Sequence, residues 1–181
     1  DKHGKIDDKA YGGGPGMVIA IDPLVRALKD ALKNKNKKKT KVLIMAPGGK
    51  MFDDKKAKSL SKYDHLVLIA GRYEGIDDRV KTILKSGFGI SAEEISVGPY
   101  VLTGGELPAL SIIDAVSRKL SGVLGKAESL EEARYGVGVP VYAKPSEYKF
   151  GGKQYKVPKV LISGNHGDID KWRKKRGGKT K

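Results

Sequence analysis

The chain contains no cysteine among its 181 residues. This absence excludes a disulfide-stapled scaffold, a thiolate zinc site and a cysteine nucleophile. No apolar run approaches the ~20 residues that a membrane-spanning helix needs, and no secretory apolar segment is visible. We therefore expect a soluble cytoplasmic protein without a membrane partner. Its length predicts about one domain, or one domain plus an appendage.

Nucleotide and metal signatures are also missing. Neither a GxxxxGK[ST] phosphate loop nor a GxGxxG turn after a strand occurs. The three histidines, His3, His65 and His166, lack metal-ligand spacing, so we predict no metal site from them. An ordinary Rossmann nucleotide-binding protein stays an alternative, although the missing GxGxxG turn weighs against it.

Acidic residues are few relative to basic ones. The chain has 36 Lys and Arg against 21 Asp and Glu, a formal net charge of +15. Such an excess favours a polyanionic partner, with nucleic acid first. Hydrophobic residues make up 39% of the chain, which is enough for a core despite the charge.

Short apolar runs alternate with amphipathic segments. The strand candidates are residues 42–45, 65–70 and 94–97, and the helix candidates are residues 23–32, 53–62, 77–84, 107–120 and 168–175. This alternation predicts an α/β domain with a mainly parallel sheet. Because the strand runs are apolar throughout, we expect helices on both faces of the sheet.

Glycine-rich loops follow the three strand candidates, at residues 47–49, 71–75 and 98–105. In open α/β sheets, ligands bind beyond the carboxyl ends of the strands, and glycine lets backbone groups approach a ligand closely. The pattern predicts a pocket made largely of backbone. The alternative is that each loop is only a tight turn between a strand and a helix.

Longer motifs occur in a specific order: YGGGPGM (11–17), GRYEGIDDRV (71–80), VGPYVLTGGELPA (97–109), DAVSR (114–118), SGVLG (121–125) and VLISGNH (160–166). In this order they resemble the TrmD family, the bacterial tRNA (guanine-N1)-methyltransferases of the SPOUT superfamily. The resemblance covers nearly the whole chain. GRYEGID followed by YVLTGGELPA is highly specific.

The resemblance implies a homodimer with its active site at the subunit interface, and a deep trefoil knot that general topology rules do not predict. We expect an α/β SPOUT domain over residues 1–121, a linker or lid over 122–145 and a small, mostly helical tRNA-binding domain over 146–181. The family has a further strand and helix before the segment that holds His3, so the resemblance predicts a chain shortened at its amino end.

S-adenosylmethionine is the cofactor that the resemblance implies, held in a bent shape by the knot loops. The matching positions are Pro47, Gly49, Gly71, Glu74, Val97, Gly98, Pro99, Tyr100, Val101, Leu102, Gly104, Gly105 and Pro108. Glu74 matches a carboxylate near the cofactor, which suits its methionine end or a divalent ion such as Mg²⁺. Pro99 replaces an aspartate that is usual in the family.

The implied reaction is methylation of guanosine N1 at tRNA position 37. Guanine N1 must lose its proton to a carboxylate, while the charge that builds on O6 needs a cation. Arg118 matches the family's catalytic arginine and suits O6. From the residues alone, it is equally a helix-end arginine whose stem covers apolar surface.

The family's base is an aspartate after the linker, and residues 130–135 (LEEARY) contain none. Glu131 and Glu132 are the candidates, and we favour Glu132, although both suit an ordinary surface role. The missing aspartate leaves a second hypothesis, a catalytically impaired, basic RNA-binding protein of the same fold.

RNA contacts are expected from Asn165 and His166 of the VLISGNH motif and from Lys171 and Arg173 in the last helix candidate. The basic runs 33–41 and 171–181 suit a tRNA backbone, or serve solubility alone.

Overall fold

The structure, a computed structural model, describes residues 4–123, 135–136 and 138–177. The chain divides into two units, Asp1–Val123 and Leu124–Lys181. The predicted domain limits at residues 121 and 145 stay a prediction. The two candidate bases, Glu131 and Glu132, lie outside the described residues.

A hairpin that the sequence did not predict begins the first unit. Strand β1 (Asp7–Lys9) pairs antiparallel with β2 (Met17–Ile19), and the YGGGPGM motif supplies the loop between them. Gly13 and Gly16 in this loop have φ values of 80° and 101°, which residues with a side chain rarely adopt. Strands of three residues are too short to show a period in the sequence.

A parallel sheet with a helix after each strand forms the rest of the first unit. In chain order its elements are α1 (Ile21–Ala31), β3 (Thr40–Met51), α2 (Asp54–Leu60), β4 (His65–Ile69), α3 (Arg79–Ile83), β5 (Ala92–Ser96) and α4 (Glu106–Ser117). The three strands pair in parallel in the order β4–β3–β5. The predicted α/β class and parallel sheet are confirmed.

Side chains of β3 alternate between two apolar clusters, one on each face of the sheet. Val42 and Ile44 pack with residues of α1 and α3, whereas Leu43 and Met45 pack with residues of α2 and α4. A strand with helices on both faces buries every side chain, which is why its sequence is continuously apolar. Because α2 and α3 lie on opposite faces, the loops after β3 and β4 diverge and leave a crevice between them.

Every helix differs from its predicted bounds by one to three residues at each end. Helix α1 begins two residues before Pro23, which is tolerated because the first turn needs no N–H from it. Helix α3 is shorter than predicted and continues as a π-helical turn, Leu84–Phe88, that ends at Gly89 with φ 68°.

The second unit contains a hairpin and a helix. Strands β6 (Glu147–Phe150) and β7 (Lys153–Lys156) pair antiparallel around Gly151 and Gly152. A 3₁₀ turn, Lys159–Ile162, leads to α5 (His166–Arg176), the predicted last helix. Among the residues that the structure describes, no helix is long and apolar enough to cross a membrane.

Candidate functional site

A cleft of about 280 Å³ opens at the carboxyl ends of β3, β4 and β5. Its walls are the bulge of β3 at residues 46–49, which the sequence predicted as a loop after the strand, and the loops that follow β4 and β5. Eleven of the thirteen predicted cofactor residues line it: Pro47, Gly71, Glu74, Val97, Gly98, Tyr100, Val101, Leu102, Gly104, Gly105 and Pro108. The predicted pocket therefore exists, and its use for a cofactor stays a prediction.

Gly49 lets the bulge of β3, which forms the first wall, pack closely against β5. Residues 46–49 bulge out of the sheet, since Met45 and Lys50 both pair with Ile95. A Cβ on Gly49 would lie 2.5 Å from the backbone nitrogen of Ile95, so no side chain fits there. Gly49 and Pro99 are the two predicted residues that do not line the cleft.

Strand β2 holds the second wall, residues 71–75, in place. The N–H of Ile19 donates to the carbonyl of Gly75 (3.0 Å), and the N–H of Glu74 donates to the carbonyl of Met17 (3.1 Å). Within this loop Tyr73 has φ 58°, an unusual value for a bulky residue. Such strain persists only where the surroundings fix the backbone, and it clusters at ligand sites.

Gly105 brings the start of α4 against the end of β4. Its N–H donates to the carbonyl of Gly71 (2.8 Å), and a Cβ there would lie 2.7 Å from the Cα of Ala70. The approach aims the amino end of α4 at the cleft. A helix amino end is favourable for negative charge, including a ligand carboxylate.

An ion pair joins the second wall to α4. The Arg72 Nε donates to the Glu106 Oε1 at 2.5 Å. This hydrogen bond, with the opposite charges, raises the pKa of Arg72 and lowers the pKa of Glu106. Both groups are therefore charged at neutral pH, and their ion pair links the loop after β4 to the first turn of α4.

Ser96 organises the third wall. Its buried hydroxyl donates to the carbonyl of Gly98 (2.8 Å) and accepts from the N–H of Gly98 (3.3 Å). Beyond this turn, the Val101 side chain is 81% exposed. The cleft thus offers backbone donors and acceptors beside apolar side chains, a combination that suits a flat heterocycle.

Some lining residues lie outside the predicted loops, namely Met45, Ala46, Ile95 and Ser96. Others lie inside the predicted loops but were not named as cofactor residues, namely Arg72, Tyr73, Gly75 and Thr103. Ser96 ends a buried strand as one of few polar residues in the core, and that contrast was the available signal.

Arg118 lies at the far end of α4. It follows the last helical residue, and its N–H donates to the carbonyl of Asp114 (3.1 Å). Twelve residues at a rise of 1.5 Å put it about 18 Å along the helix from Glu106. Arg118 is absent from the lining of the cleft.

The four predicted RNA contacts lie on or next to α5. The Asn165 side chain caps this helix, accepting from the N–H of Asp168 at 3.3 Å. His166 is the first helical residue, and Lys171 is exposed. The Arg173 guanidinium lies over the Tyr135 ring, 5.2 Å from its centre. Asn165 therefore has a local structural role in addition to its predicted one.

No group of three or more His, Cys, Asp or Glu in the described part of the chain could hold a metal ion. Glu74, the candidate ligand for Mg²⁺, stands on the rim of the cleft beside Gly16, where a Cβ would meet its side chain at 2.5 Å.

Comparison with known proteins gives the same assignment over the whole sequence. The family model for tRNA (Guanine-1)-methyltransferase TrmD matches residues 1–181. The chain belongs to the TrmD family. Among relatives named tRNA (guanine-N(1)-)-methyltransferase, the Dictyoglomus turgidum protein is 46% identical over 178 residues and the Desulforamulus reducens protein 45% over 179. In both, the match covers 97% of this chain and 66% of the relative. This member of the TrmD family thus spans about two thirds of the length of these relatives.

Proposed function

We propose that the chain methylates N1 of guanosine at position 37 of tRNA, next to the anticodon, with S-adenosylmethionine as methyl donor. The observation that carries the proposal is membership of the TrmD family along all 181 residues. Two of the motifs behind the resemblance, at residues 71–80 and 97–109, supply most of the residues that line the cleft. Family membership implies the SPOUT fold, and we propose the trefoil knot with it.

The residues of the cleft fit S-adenosylmethionine. Backbone groups of residues 97–102 suit the edge of an adenine, and Val101 and Leu102 suit its faces. At the amino acid end of the cofactor, the Glu74 carboxylate suits the ammonium group and the amino end of α4 suits the carboxylate. Glu74 is also our candidate for holding Mg²⁺. When bound, this cofactor supplies an electrophilic methyl group.

The substrate base imposes its own requirements on the chain. Guanine N1 needs a carboxylate that takes its proton, and we assign this role to Glu132. The developing charge on O6 needs a cation, and we assign this role to Arg118. The RNA contacts are assigned to Asn165, His166, Lys171 and Arg173 of the second unit.

The position of Arg118 supports a homodimer with its active site at the interface. This residue stands about 15 Å along α4 from Pro108, which lines the cleft of its own chain, so a second copy is the simpler source of the arginine. Helix α4 also exposes apolar side chains, Leu107, Leu110 and Ile113, beside the cleft. An apolar face of this kind is typical of an interface between copies.

A catalytically impaired RNA-binding protein is the second candidate, favoured by the lack of an aspartate in residues 130–135. Calorimetry with S-adenosylmethionine and methyl transfer to a tRNA transcript separate the two. We expect binding and transfer to a transcript with G37, and no transfer to a matched transcript with A37. Cofactor binding without transfer would support the second candidate.

The Arg118→Gln variant tests the assignment of the arginine. Losing one aimed cation lowers turnover by a factor on the order of 10²–10³. The affinity for S-adenosylmethionine should stay unchanged, because the cleft does not include this residue. Unchanged turnover would contradict the role.

A further inference from the structure

The hairpin β6–β7 separates its side chains onto two different faces. Residues that pair across antiparallel strands share a face, and neighbours along a strand alternate. The register pairs Tyr148 with Tyr155 and Phe150 with Lys153, so these four share one face. We call these four residues the aromatic face.

The opposite face is polar and carries Glu147, Lys149, Gln154 and Lys156. Glu147 forms an ion pair with Lys156 at 2.8 Å and accepts a hydrogen bond from the Gln154 side chain. Three of its four side chains are therefore paired with one another, and Lys149 is exposed.

The aromatic face is open. The exposed fractions of Tyr148, Phe150 and Tyr155 are 61%, 69% and 54%. The cross-strand tyrosine pair helps to stabilise the hairpin, but this does not explain Phe150, which stands opposite a lysine. Three exposed aromatic rings on a surface of eight strand residues indicate a binding surface.

Charge favours an anionic partner. Residues 138–177 contain ten Lys and Arg against three Asp and Glu. Lys153 lies on the aromatic face itself, and Lys149 lies on the opposite face beside it. Aromatic rings interleaved with lysines on a sheet surface suit unpaired nucleotides, because bases stack on the rings while ammonium groups meet the phosphates.

We propose that the aromatic face stacks unpaired bases of RNA. The proposal rests on the proposed tRNA substrate and adds to it a specific surface, distinct from α5, that binds single-stranded rather than duplex RNA. Stacking does not read base identity, so this surface contributes affinity and positioning without selecting a sequence.

The test measures fluorescence anisotropy of the full chain with a 12-nucleotide oligouridylate and with a 12-base-pair RNA duplex. Tyr155→Leu removes the ring and keeps an apolar strand residue. We expect it to weaken single-strand binding ~10-fold and to leave duplex binding unchanged. Tyr155→Phe keeps the ring, so its affinity should match the wild type. A Tyr155→Leu chain that binds oligouridylate like the wild type would overturn the proposal.

A second measurement does not depend on how the variants fold. Photocrosslinking of wild-type chain to 4-thiouridine RNA should give adducts within residues 147–156, and adducts found only elsewhere would refute the stacking role. If the face instead binds protein, Tyr155→Leu would change the sedimentation of the chain and not its RNA affinity, and that result would also overturn the proposal.

Methyl transfer to tRNA is assayed separately, so that the two proposals can fail independently. If the wild-type chain transfers methyl groups and Tyr155→Leu binds RNA as the wild type does, the stacking proposal alone is wrong. If the aromatic face binds RNA but no methyl transfer occurs, the proposed function alone is wrong.

Discussion

Single residues decide how closely the loops of the cleft approach the sheet. Gly49 and Gly105 each lie where a Cβ would overlap backbone atoms of a neighbouring segment. Backbone cannot move aside as a flexible side chain does, so these two positions require glycine for close packing, at φ values that any residue could adopt.

Gly49→Ala should destabilise the first unit by about 1–3 kcal/mol, because the added methyl group overpacks against β5. The matched control is Gly48→Ala in the same loop, where a Cβ would meet nothing within 4 Å. We expect the control to change the free energy of unfolding by less than about 0.5 kcal/mol. Urea titration of both variants measures the difference, and equal effects would refute the packing argument.

The ion pairs of Glu93 should make the free energy of unfolding depend on pH in the acid range. Its carboxylate contacts Lys41 on β3 at 2.7 Å and Lys56 on α2 at 2.5 Å. Burial raises the pKa of Glu93, but the hydrogen bonds and charges of the two lysines outweigh it and lower the pKa to about 2. A lowered pKa contributes stability that is complete above the unfolded pKa and disappears as the pH falls through the folded pKa.

We therefore expect protonation of Glu93 to lower the free energy of unfolding by about 3 kcal/mol between pH 5 and pH 2. Glu93→Gln should flatten that part of the profile and lower stability at pH 7. Chemical unfolding at a series of pH values measures it. The exposed neighbour variant Glu94→Gln is the control and should retain the acid slope. An unchanged slope in Glu93→Gln would show that the ion pairs are not coupled to folding.

At the scale of elements, α4 has two apolar faces with different roles. Ile112 and Val116 face the core, whereas Leu107, Leu110 and Ile113 are exposed. Apolar residues recur along the whole helix, and only one of its faces is buried within the described residues. Composition cannot distinguish a core face from an interface face, because both exclude water.

If the proposed homodimer uses this face, Ile113→Glu should shift the chain from dimer to monomer, since a carboxylate in an apolar interface stays without a partner. Ala27→Glu on the exposed side of α1 is a matched control with the same added charge. Sedimentation at several protein concentrations measures both. Were the Ile113→Glu chain to remain dimeric, the α4 face would not be the interface.

For the whole molecule, the charge of +15 predicts that tRNA binding depends on salt. Lysines and arginines that neutralise phosphates release counterions, so affinity falls as salt rises. About six phosphate contacts would reduce the tRNA affinity on the order of 10³-fold between 50 and 200 mM salt. The affinity for S-adenosylmethionine, which is not a polyanion, serves as the control and should change little. A flat response for tRNA would leave the basic residues without a role in binding.

Some features of the site could be predicted from neighbouring residues alone. Glycine loops after apolar runs predicted the three walls, because the turn chemistry and the strand before it are both local in sequence. The contacts between the walls could not be predicted. The hydrogen bonds from β2 to the loop that holds Glu74, and the pair of Arg72 with Glu106, join residues more than thirty positions apart.

The sequence by itself determined the α/β class, the position of the cleft after the strands, the basic character and the family. These properties follow from the spacing of apolar residues, from turn residues, from charge and from motifs, all of which can be recognised within short segments of the chain. Only the tertiary structure decided which face of α4 is exposed. It also decided that Gly49 packs against β5 beside the cleft, and that β6–β7 exposes three aromatic rings on one face. The physical reason is that burial and close approach depend on what lies across space, and distant segments of the chain supply it.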